Sequence, residues 1–131
     1  MSSKRTDSAF AGLRRGLGVI LTLVIVSCGW CHGVLYVEGG SMEPALHPGD
    51  VIVYRRYGAA PRVGRLAVFE HNAALVVHRV IGVTTDGGLR TRGDANGTVD
   101  REPVMSDAVR GEVVFVVPSG RLAQYLAGAV P

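Results

Sequence analysis

The chain has only two cysteines, Cys28 and Cys31, in 131 residues. Both fall within one apolar stretch, so the polar remainder has no disulfide framework and must be held by an ordinary core. Basic residues are in excess nowhere but at the start. Residues 1–16 carry Lys4, Arg5, Arg14 and Arg15 against Asp7, and the rest of the chain holds ten basic and ten acidic residues that cancel. The formal charge of +3 is therefore confined to this tail, and no basic face is left for nucleic acid. No repeat period is visible, which excludes solenoids and propellers. No amphipathic helix of useful length occurs in 38–119, and the length allows one modest domain.

What is present is first an apolar run, Leu17 to Val37, 21 residues without Asp, Glu, Lys or Arg. As a helix it would span about 30 Å, the thickness of a bilayer core. With the basic tail before it, the pattern predicts a single-pass anchor at 17–37, the tail 1–16 cytoplasmic and the rest outside. Trp30 and Tyr36 fit the outer interface. The length favours a retained anchor over a removable leader. Two motifs overlap the run. Ile25-Val26-Ser27-Cys28 resembles a lipoprotein processing box, and Cys28-Gly29-Trp30-Cys31-His32 matches the C-x-x-C-H pattern of haem attachment. A haem site needs a water-side fold around it, so small polarizable residues in a membrane helix are the simpler account. A membrane-tethered haem or redox module, or a non-catalytic binding module, is the alternative function. No metal site is expected, and with the simpler account no cofactor.

After Val37 the character changes. Turn formers recur at Gly39-Gly40, Pro48-Gly49-Asp50, Gly58 to Pro61, His71-Asn72, Asp86-Gly87-Gly88, Gly93-Asp94 and Asn96-Gly97. Between them lie the β-branched runs Val51–Tyr54, Leu66–Phe69, Leu75–Val83 and Val113–Val117. This spacing predicts a mainly β domain over 38–119. The apolar end, 120–131, is too short to cross a bilayer as a helix. It can dock on the domain, lie on a membrane, or be the remnant of a second anchor.

Chemistry is suggested at three places. Ser41 stands in Gly39-Gly40-Ser41-Met42-Glu43-Pro44, where two glycines leave space for a chain to approach and Met42 can pack beneath the loop. It lies four residues beyond the apolar run, at most about 14 Å of extended chain from a membrane surface. Such a serine suits targets that themselves emerge from a membrane. Among four histidines, His78 is set in a strand of buried type, on one face with Val76 and Val80. It is either a satisfied core residue or the base that removes the serine proton. A base of this kind uses a carboxylate to fix its tautomer, and both Asp94 and Asp100 are at hand in Thr91–Asp100. Turn chemistry alone accounts more readily for Asp94 than for Asp100.

In order, the anchor, Gly40-Ser41-Met42-Glu43-Pro44, Val77-His78-Arg79-Val80, and Gly93-Asp94-Ala95-Asn96 followed by Asp100 resemble signal peptidase I of the endoplasmic-reticulum and archaeal type, also found in some Gram-positive bacteria. The resemblance covers roughly 17–118. Common bacterial relatives use a Ser/Lys pair, and His78 puts this chain in the Ser/His branch. The resemblance implies a compact, mostly antiparallel β domain of coiled sheets, Ser41 as nucleophile, His78 as base and Asp100 as triad carboxylate. Asp94 would hold the site or share that role. Substrates would be secretory preproteins with small residues at −1 and −3, bound as an added strand along Gly39, Gly40 and Met42 on one side and Leu75 and Val77 on the other. The bilayer is the other implied partner. Three features depart from the pattern. Gly39 stands where relatives often have a serine whose hydroxyl assists the oxyanion hole, Gly64-Arg65 replaces a Gly-Asp turn, and the outer domain is short.

Overall fold

A computed structural model describes residues 19–20, 22–23, 26–27, 29–56 and 58–128. The chain divides into two compact units, Met1–Cys31 and His32–Pro131. In the first, residues 19–20, 22–23, 26–27 and 29–31 are helical. Among the described residues no helix is long and apolar enough to cross a membrane. The expected tail 1–16 lies outside the described residues, as do 17, 18, 21, 24, 25 and 28 of the expected anchor, and with them Ile25 and Cys28 of the two overlapping motifs.

The expectation of one helix over 17–37 is corrected at its end, because His32–Tyr36 is strand β1. Hydropathy does not distinguish a membrane helix from an apolar strand; the period does. Gly33 is buried and Leu35 half-buried, while Val34 and Tyr36 are exposed, an alternation of two. Gly33 also has a specific reason to be glycine. A Cβ there would stand 2.1 Å from Cζ of Tyr54, so the ring lies directly on the β1 backbone.

Five further strands follow: β2 (Val51–Arg55), β3 (Leu66–His71), β4 (Ala74–Val83), β5 (Leu89–Arg92) and β6 (Val109–Val117). They form one sheet in the order β1-β2-β6-β3-β4-β5, and every adjacent pair is antiparallel. The four expected β-branched runs all lie in strands. β5 was not expected, because its sequence Leu-Arg-Thr-Arg buries only Leu89 and Thr91. β3 and β4 are joined by Asn72 and Ala73, both at positive φ. That is the backbone of a two-residue hairpin whose twist matches the strands.

Two apolar clusters form the core. One contains Val37, Met42, Leu46, Ile52, Tyr54, Val68 and Val77. The other contains Ala67, Phe69, Val80, Leu89 and Val104. β3 supplies Val68 to the first and its neighbours Ala67 and Phe69 to the second, so the two clusters cover opposite faces of the sheet. The C-terminal segment is a helix, Ser119–Leu126. Its first turn docks on the loop before β2, with the Ser119 hydroxyl donating to Gly49 O (2.7 Å) and Gly120 N–H to Asp50 Oδ1 (2.9 Å).

Candidate active site

The Ser41 loop is shaped by its apolar residues. Met42 and Leu46, four apart, are each 1% exposed in the first cluster, and Leu46 N–H donates to Met42 O (3.0 Å). That spacing puts both on one side of a helical turn and leaves Ser41, between core and solvent, half-buried. The loop is closed behind by Asp50, 2% exposed. Its Oδ2 accepts His47 N–H and its Oδ1 accepts Gly120 N–H, each at 2.9 Å. Arg121 adds a bond to Pro44 O (2.7 Å) and one to His47 Nδ1 (3.1 Å). In front, Ala95 N–H donates to Ser41 O (2.9 Å). A Cβ on Gly93 would come within 2.6 Å of that same oxygen, so the loop carrying Asp94 passes tightly against the serine backbone.

His78 projects from β4 with its ring edge-on to Phe69, centroids 6.0 Å apart. Its Nε2 is 3.3 Å from Ser41 Oγ and its Nδ1 is 2.6 Å from Asp100 Oδ2. The same carboxylate oxygen accepts the Thr91 hydroxyl at 2.7 Å. Thr91 is fully buried and stands opposite Val80 in the sheet, so it shares the face of His78. Asp100 N–H donates to Thr91 O (2.9 Å), which fixes the backbone of the carboxylate as well. The four groups form one line: hydroxyl, imidazole, carboxylate, hydroxyl. His78 and Asp100 side chains are 12% and 24% exposed, shielded yet open to a ligand.

Asp94 is elsewhere. Its Oδ1 accepts Arg79 Nε (2.7 Å) and its Oδ2 accepts Arg79 Nη2 (2.6 Å), a forked ion pair. The hydrogen bonds that Arg79 donates to Asp94 push the Arg79 pKa above its ordinary value. Arg79 follows His78 in β4 and therefore points to the opposite face. Its Nη1 donates to Gly64 O (2.7 Å). Asp94 thus ties the site loop to the sheet, while the contact with the imidazole is made by Asp100.

The residues expected to hold substrate surround a groove of about 480 Å³ lined by 35–39, Ser41, Met42 and 74–77. Gly39, Met42, Leu75 and Val77 are in its wall; Gly40 is not, and instead accepts Glu43 N–H (3.1 Å) within the turn. Pairing between β4 and β5 begins at Arg79. Among the described residues, Ala74–His78 therefore have a strand partner on one edge only. A second cleft, about 880 Å³, opens on the other side of Ser41 and is lined by His78, Asn96 and Asp100 among others. Thr91 and Asp50 were missed by sequence reasoning. A lone threonine in a polar strand and an aspartate in a Pro-Gly-Asp turn carry no signal of these contacts.

Residues 18–116 match the model of the peptidase S24-like family, three quarters of the chain. The chain belongs to the peptidase S24-like family. It is similar to signal peptidase I W of Bacillus subtilis, 30% identical over 108 residues that cover 72% of this chain and 57% of the relative. It is also similar to the signal peptidase complex catalytic subunit SEC11C of Homo sapiens and of Mus musculus, 38% identical over 85 residues covering 60% of this chain and 44% of each. The chain thus spans about half the length of the relatives it matches. Three of the four segments that carried the resemblance, those around Ser41, His78 and Asp94–Asp100, meet at one place in this family member.

Proposed function

We propose that the chain is a membrane-anchored serine endopeptidase that removes N-terminal signal peptides from secretory preproteins at the outer face of the membrane. Ser41 is the nucleophile, His78 the general base and Asp100 its orienting carboxylate. The observation that carries this reading is the unbroken contact line from Ser41 Oγ through His78 (3.3 Å) to Asp100 (2.6 Å). Asp94 is the support of the loop, through Arg79.

In this mechanism Ser41 Oγ attacks the carbonyl carbon of the residue at −1 and its proton passes to His78 Nε2. The 3.3 Å separation is a free-enzyme contact of the kind that tightens when substrate is bound. Asp100 accepts from His78 Nδ1–H, which leaves Nε2 as the acceptor and then stabilises the imidazolium. The Ser41 N–H faces the developing oxyanion, with no hydroxyl from Gly39 to help. His78 returns the proton to the leaving nitrogen, the C–N bond breaks, and the acyl group stays on Ser41. A water deprotonated by His78 then hydrolyses the ester.

The groove between residues 35–39 and 74–77 suits an extended peptide lying on the open edge of β4. Met42 and Val77, both buried, line this groove, and the resemblance to signal peptidase I implies small side chains at −1 and −3. The uncharged stretch that precedes β1, with the basic tail before it, supports the anchor with its N-terminus in the cytoplasm. The test is cleavage of a model preprotein with alanine at −3 and −1, in detergent, by wild type, Ser41→Ala and His78→Ala. Loss of several orders of magnitude in both folded variants is expected; full activity in either one rejects the reading.

A further inference from the structure

Ser41 lines two clefts, and the base lines only one of them. The groove of about 480 Å³ touches Ser41 but not His78 or Asp100, whereas the cleft of about 880 Å³ is lined by all three. The imidazole that takes the nucleophile's proton must deliver it to the leaving nitrogen. The leaving half of the substrate, which becomes the N-terminus of the mature protein, therefore lies in the larger cleft.

Asn96 lines the same cleft, and its carboxamide is placed by Gly93. A Cβ built on the buried Gly93 would meet Asn96 Nδ2 at 2.7 Å, Asn96 Cγ at 3.0 Å and Ser41 O at 2.6 Å. The carboxamide thus borders the space that the glycine leaves empty, beside the main chain of the nucleophile. The backbone that carries it is fixed, because Ala95 N–H donates to Ser41 O and Asn96 N–H to Gly93 O, each at 2.9 Å. An asparagine in a turn ordinarily bonds its side chain to its own loop. Asn96 does not: it is exposed, and among the described residues its carboxamide has no hydrogen-bond partner. A carboxamide offers one acceptor and two donors. These match the N–H and C=O that one residue of an extended chain turns to the same side. The nitrogen of residue +1 faces His78, so the first residue after the cut whose N–H is open to another partner is +2.

We propose that Asn96 binds the main chain of residue +2, accepting its N–H and donating to its C=O, and so holds the leaving half of the substrate against His78. This rests on the peptidase reading above and adds a binding residue to the same site. The test uses two preprotein peptides with one signal peptide, alanine at −3 and −1, and the same mature side chains. One has an ordinary amide between +1 and +2; the other has an ester there, which removes the N–H of +2 and leaves the scissile bond unchanged. In wild type the amide substrate is expected to exceed the ester substrate about fivefold in kcat/KM, the worth of one hydrogen bond. In Asn96→Ala the ratio should fall to near one, with the loss falling on the amide substrate. Because each ratio is internal to one protein, a loop shift that slows both substrates does not imitate the effect. A ratio near one in wild type, or a ratio unmoved by Asn96→Ala, overturns the proposal and leaves the peptidase reading intact. Absence of Ser41-dependent cleavage of both substrates overturns both.

Discussion

His78 Nδ1 meets Asp100 Oδ2 at 2.6 Å, and the same oxygen also accepts the hydroxyl of the buried Thr91. The imidazole is thus held by a carboxylate that is itself held. The second carboxylate of the loop, Asp94, has both oxygens on Arg79.

The two aspartates should therefore separate by the measurement used. Asp100→Asn keeps the shape but supports the wrong imidazole tautomer, and is expected to lower kcat by about 10²–10⁴ with little change in melting temperature. Asp94→Asn breaks a forked pair whose arginine is a third exposed, so it should cost only about 1 kcal/mol in urea unfolding. It should leave kcat within about tenfold, because the Ala95 bond to Ser41 remains. Comparable losses of kcat in the two variants would contradict the assignment.

Gly93→Ala tests how closely the site loop must approach. The added methyl meets the Ser41 carbonyl oxygen, a backbone atom, at 2.6 Å. One of the two chains must move, and displacement of a nucleophile by about 1 Å costs on the order of 10²-fold in rate. Preprotein cleavage should fall accordingly, while the far-UV spectrum still reports a folded sheet. Normal turnover would mean that the loop relaxes without disturbing Ser41.

Gly39→Ser runs in the opposite direction. A Cβ at Gly39 meets nothing within 4 Å, so there is room for the hydroxyl that relatives often carry there. If that hydroxyl reaches the oxyanion, kcat should rise about tenfold or more, part of the 10²–10³ that one such donor supplies elsewhere. Single-turnover kinetics at saturating substrate would report it, and an unchanged or reduced rate would argue against a hydroxyl at this position.

Asp50→Ala should act on stability first. Two N–H groups, of His47 and Gly120, lose their acceptor at a site 2% exposed. Each unsatisfied donor costs about 1–3 kcal/mol, so a loss of about 2–6 kcal/mol is expected in chemical denaturation. Activity should fall only where the protein begins to unfold. A loss below about 1 kcal/mol would show that water replaces the carboxylate.

The β class of the domain, four of its six strands, Ser41 and His78 were legible in the chain, because turn residues and period-two runs are local features and a lone polar residue in an apolar strand stands out. β1 was read as anchor because hydropathy over 17–37 is continuous across the point where helix gives way to strand, and β5 was missed because half its residues are arginine.

What the amino-acid order determined by itself was the inventory: an uncharged run behind a basic tail, a serine in a glycine turn, a histidine among valines, and two aspartates in one loop. Only the tertiary structure decided between those aspartates. Both follow β5 in one loop, and along the chain only the readier turn account of Asp94 and the family resemblance lean towards Asp100. The sheet separates them because His78 and Arg79 are consecutive in β4 and face opposite sides, so one aspartate meets the imidazole and the other the guanidinium.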